Sequence, residues 1–72
     1  MLNNEHHKTL VEREYPVGTK VRCIHMEDAH PVPSNTCGIV VHIDDFAQIH
    51  VNWDNGSTLA LIPGVDRFEK VR

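Results

Sequence analysis

With 72 residues the chain holds one domain, which buries only about 60% of its unfolded surface, so its stability margin is small or is shared in a dimer. A formal net charge of −3 argues against a binder of nucleic-acid backbone, which presents a basic face, and no apolar run reaches membrane-spanning length. Thirteen residues separate Cys23 from Cys37, a spacing that suits neither a metal site nor a redox pair, so free thiols and a cytoplasmic location are expected.

Residues 1–14 are polar, lack Gly and Pro, and carry apolar side chains only at Met1, Leu2, Leu10 and Val11. They read as an N-terminal tail or a short helix, capped by Asn3 or Asn4 and ending before Tyr15-Pro16. Such a helix forms only if Leu10 and Val11 dock on the rest of the chain. Residues 15–72 are the domain proper. All four prolines and all four glycines fall there, with apolar residues at period two, so strands carry its body. Residues 15–19 make an opening turn, and residues 20–26 a first strand with Val21 and Cys23 inward. Residues 27–35, with Pro31 and Pro33, form a loop longer than the usual hairpin link. Residues 36–44 are a second strand, with Ile39, Val41 and Ile43 on one face and Val40 and His42 on the other.

Residues 48–61 are the most specific stretch. Ile49, Val51 and Trp53 alternate with His50 and Asn52, and Leu59 and Leu61 resume the alternation after Asp54-Asn55-Gly56. A two-residue turn would leave both leucines on the wet face. A three-residue loop sets Trp53 against Ser57, Val51 against Leu59 and Ile49 against Leu61, and uses Gly56 where positive φ is needed. The same parity argument makes Asp45-Phe46-Ala47 a three-residue loop. Ala47 pays a steric cost at positive φ, so a variant turn is expected there. Residues 57–62 are a fourth strand that Pro63-Gly64 ends, Val65-Asp66-Arg67 forms a one-turn 3₁₀ link, and residues 68–71 make a short closing strand. Five short strands in this order predict an all-β fold, a small SH3-like barrel.

These residues also carry a resemblance. Tyr15-Pro16-x-Gly18-Thr19-x-Val21-Arg22, Met26-Glu27-Asp28, Gly38-x-Val40, Asp44-Asp45, Gln48-Ile49-His50-Val51-x-Trp53-Asp54-Asn55-Gly56-Ser57 and Pro63-Gly64-Val65-Asp66-Arg67-Phe68 resemble the bacterial family catalogued as domain of unknown function 4314. The resemblance covers nearly all of the chain after residue 10. It implies an SH3-like fold and a setting in bacterial mobile elements or phages, and it implies no activity. The chain departs from that family at Ala47, where relatives usually carry Gly, and at Cys37, where an acidic residue is common.

Candidate sites are few. Phe46, at a hairpin tip, is either exposed or folded back over the barrel mouth; exposed, it would be an interaction anchor, with Trp53 a second one on a groove between residues 27–35 and the tip, although its period places Trp53 largely in the core. Lys20, Arg22, Lys70 and Arg72 can line up on the neighbouring first and last strands as the one basic stripe open to nucleic acid. His42 and His50 would face each other across strands, with Asp44 or Gln48 nearby. Structural zinc takes four ligands, so a solvated histidine pair is the commoner reading and neither metal nor cofactor is expected. Cys23 or Cys37 with His25 or His42 lacks the third, orienting group that nucleophilic catalysis requires, so no enzyme is expected. The functional expectation is a non-enzymatic binding module for a protein or peptide, monomeric or dimeric. A nucleic-acid accessory role and a metal-responsive module are the alternatives.

Overall fold

The computed structural model describes residues 4–72, with side chains from His6 onward. It contains one helix, α1 (Asn4–Glu14), and four strands, β1 (Lys20–His25), β2 (Cys37–Ile43), β3 (Ile49–Trp53) and β4 (Arg67–Lys70). The strands form one open antiparallel sheet in the order β3-β2-β1-β4. Among the described residues no helix is long and apolar enough to cross a membrane.

The helix forms because residues 4–14 carry no breaker, and it stops where Pro16 disfavours helical backbone at Tyr15. Eleven residues of isolated helix are marginal in water, so its contacts with the sheet sustain it. Val11 is buried, whereas Leu10 remains 43% exposed, so only one of the two expected residues docks. Tyr15 packs on Phe68 with ring centres 5.2 Å apart, and Glu14 pairs with Lys70 at 2.9 Å. Asn3, one of the two expected caps, lies outside the described residues.

Three-residue loops hold at both hairpins. Trp53 donates its amide to the Ser57 carbonyl (3.1 Å), and Ile49 and Leu61 exchange both backbone hydrogen bonds (2.9 and 2.8 Å). Gly56 has φ 89°, as the loop requires. Ile43 pairs with Ile49 and His42 with His50 around Asp45-Phe46-Ala47. No variant turn forms there. Ala47 itself adopts φ 61°, and its methyl is buried, so the packing gained offsets the strain.

Three further expectations are corrected. Residues 57–62 are not a strand: Leu59 donates its amide to Ser57 Oγ (3.3 Å) and its carbonyl accepts from the Trp53 indole (2.8 Å), which diverts both groups from the ladder with Val51. The faces of β2 are reversed before a bulge. Val40 pairs with Val51 and His42 with His50, so Val41 is the extra residue. Gly38, Val40 and Ile43 therefore point inward while Ile39 and Val41 are each 41% exposed. Finally, residues 62–66 form a hydrogen-bonded turn from Ile62 rather than a 3₁₀ link at 65–67, and β4 starts at Arg67.

Val21, Cys23, Val40, Ile49, Val51, Trp53 and Leu61 form the centre of the core. Beneath it Asp66 is a buried staple. Its two carboxylate oxygens accept the amides of Glu27 and Ile62, each at 2.8 Å, tying the 62–66 turn to the β1–β2 connection.

Candidate functional site

The β2–β3 tip is organised by Asp44. Its Oδ1 accepts the amides of Phe46 and Gln48, each at 2.9 Å, and its Oδ2 lies 2.8 Å from His50 Nε2. Backbone bonds from Ala47 to the Asp44 carbonyl (3.0 Å) and from Asp44 to the Gln48 carbonyl (3.1 Å) close the turn. Partial burial pushes the Asp44 carboxyl up. The bonds donated by His50, Gln48 and Phe46 outweigh it and hold the group below the usual carboxylate value. Asp44 is thus an acceptor hub that fixes the backbone on either side of Phe46.

Phe46 stands out from this turn with 73% of its surface exposed. The neighbouring Asp45 receives Lys8 Nζ at 3.0 Å, which raises the lysine's affinity for its proton and ties α1 to the tip. Beside the tip, α1, the opening turn and β2 enclose an open cleft of about 280 Å³ lined by Lys8, Glu12, Pro16, Val17, His42 and Ile43. Lys8 and Glu12 are one helical turn apart and so share a face. That spacing was the available signal for a helix contribution to the site, which the strand patterns do not reveal.

His42 and His50 do face each other, with ring centres 5.5 Å apart and planes inclined at 47°. Trp53 is a core residue at 4% exposure, its indole N–H consumed by Leu59, so it cannot serve as an exposed anchor. The expected groove also fails to form: residues 27–35 and the 45–47 tip lie at opposite ends of β2, roughly 20 Å apart at strand rise. The long loop folds on itself instead, burying Val32 beside Met26, whose sulfur accepts the Val32 amide at 3.4 Å.

The four basic residues do not make one stripe. Lys20 and Arg22 share the outer face of β1, whereas Lys70 pairs with inward-facing Val21 and so belongs to the other face. Arg22 is held by Glu69 (Nε to Oε1, 2.8 Å), and Lys70 lies over the Tyr15 ring while paired to Glu14. Lys20 and Arg72 are exposed. Both cysteines are free, Cys23 buried and Cys37 half-buried.

Residues 4–71 match the profile of a family described as a domain of unknown function, DUF4314. No curated protein and no solved structure matches the chain.

Proposed function

The chain belongs to the DUF4314 family over nearly its whole length, and on the geometry of the tip we propose that it is a non-enzymatic binding module that grips a protein or peptide through Phe46. The observation that carries this reading is the 73% exposure of Phe46 on a turn that Asp44 clamps from both sides. Covering such a ring is worth about 2 kcal/mol in water, and a clamped turn loses little conformational freedom when it docks. The adjoining cleft offers Pro16, Val17 and Ile43 to a partner's apolar side chain, with Lys8, Glu12 and His42 as polar rim.

We read the fold behind this module as SH3-like. Leu61 lies against the free edge of β3 and β4 against β1, which gives the segment order expected of five strands in such a barrel. A bacterial mobile-element or phage setting rests on the family resemblance alone, and a cytoplasmic location on two free thiols, which suit a reducing compartment. Nucleic-acid binding is the weaker reading, because Arg22 and Lys70 are already neutralised by Glu69 and Glu14.

A photoreactive phenylalanine at position 46 tests the proposal in the native host. Crosslinking to a discrete protein, lost when unmodified wild-type chain competes but not when the Phe46→Ala chain does, supports it. Crosslinking to nucleic acid, or to no discrete species, overturns it.

A further inference from the structure

We propose that His42 and His50 together bind an imidazole-preferring divalent cation, copper(II) most strongly and zinc next, with Asp44 orienting His50. The two residues are direct cross-strand partners next to the hairpin tip. Nitrogen–metal bonds of about 2.0–2.1 Å at tetrahedral to right angles would place two ring centres roughly 5 Å apart. The observed separation is 5.5 Å, close to that spacing.

Asp44 adds what a mere pair of surface histidines lacks. A carboxylate only accepts hydrogen bonds, so the 2.8 Å contact fixes the proton of neutral His50 on Nε2 and leaves the Nδ1 lone pair for a metal. This carboxylate–histidine pairing is the usual outer support of a metal-bound imidazole. Asp44 is in turn held by the Phe46 and Gln48 amides, so the orientation is built into the turn. Among the described residues no three His, Cys, Asp or Glu side chains converge as a cage. The site is therefore open, with two protein ligands and water filling the remaining positions. His42 is exposed and the His50 side chain is 38% exposed, which leaves those positions accessible. With two imidazoles as ligands, affinity follows the general order for divalent metals, copper above zinc, with calcium and magnesium excluded by their preference for oxygen.

The test is titration of the full chain with zinc chloride, followed through the imidazole resonances, and with copper(II) chloride, followed by calorimetry. Saturable one-to-one shifts of His42 and His50 are expected. His42→Gln, at an exposed position that does not jeopardise folding, should weaken binding by about tenfold or more, as should His50→Ala, while His25→Ala leaves it unchanged. Absence of any shift at equimolar zinc together with no copper heat, or full affinity in a folded His42→Gln chain, overturns the proposal. These readouts involve no partner protein, so they stand or fall apart from the role given to Phe46.

Discussion

The indole N–H of Trp53 donates to the carbonyl of Leu59 across 2.8 Å, from the side chain of one arm of a hairpin to the backbone of the other. In a continued ladder that carbonyl would face Val51, because Trp53–Ser57 and Ile49–Leu61 fix the register on either side. The side-chain bond thus ends the strand while holding its two arms in register. Trp53→Phe keeps an aromatic core but strips the half-buried Leu59 carbonyl of its donor. A loss of about 2 kcal/mol is expected, or a fall of roughly 8–16 °C in thermal midpoint for a domain of this size. Circular-dichroism melting of the two chains measures it, and an unchanged midpoint would assign the bond no weight.

How far the fold could be read beforehand follows from the same hairpin. Register was legible because Gly56 and the alternation from Ile49 to Leu61 admit one loop length that buries the apolar set. The interruption at Leu59 was not, because it depends on where an indole N–H and a serine hydroxyl point. In β2 the alternation itself misled: Ile39, Val41 and Ile43 read as one face, but Val41 is a bulged extra residue, and no local composition marks it. In the site, the facing of His42 and His50 followed from parity, and the exposure of Phe46 was one of two open readings. The pairing of Lys8 with Asp45 was hidden, since a contact spanning 37 residues of sequence leaves no mark on the local pattern.

Gly38 is required by contact rather than by backbone angle. A methyl built there would lie 2.5 Å from Val51 Cγ1, 2.7 Å from the Asn52 carbonyl oxygen and 3.0 Å from Trp53 Cα. Two of these three are backbone, so relief demands that β3 move away from β2. Gly38→Ala is expected to cost about 3 kcal/mol, the upper end for overpacking, despite alanine's better strand propensity. Urea unfolding checks this, and a midpoint within error of the parent would show that the strands separate freely.

Asp66 is a structural carboxylate whose two oxygens both face donors, the amides of Glu27 and Ile62. Asp66→Asn keeps the shape but turns one acceptor into a donor aimed at a backbone N–H. Each charged hydrogen bond contributes about 1.5–3 kcal/mol, so a loss near 3 kcal/mol and more than about 10 °C is expected. Asp54→Asn, on an exposed turn, should change stability by less than about 0.5 kcal/mol. Equal melting of the two variants would remove the staple from the account of stability.

Cys23 and Cys37 should separate cleanly by reactivity. Cys23 is fully buried and its thiol donates to the Val32 carbonyl at 3.4 Å, whereas Cys37 is half-buried at the start of β2. Burial first, and then the charge of Asp66, push the Cys23 thiol above its ordinary value, so the folded state holds this proton longer than the unfolded chain does. The stability tied to that proton is fully present below the ordinary thiol range and is lost as pH rises through and beyond it. Iodoacetamide at neutral pH should therefore modify Cys37 alone, and Cys23 only as fast as the chain opens. Between neutral and alkaline pH the parent should lose more urea resistance than a Cys23→Ala chain, the difference isolating this thiol from the lysines and tyrosine. Labelling of Cys23 at the rate of Cys37, or parallel alkaline losses in the two chains, would contradict the buried, protonated thiol.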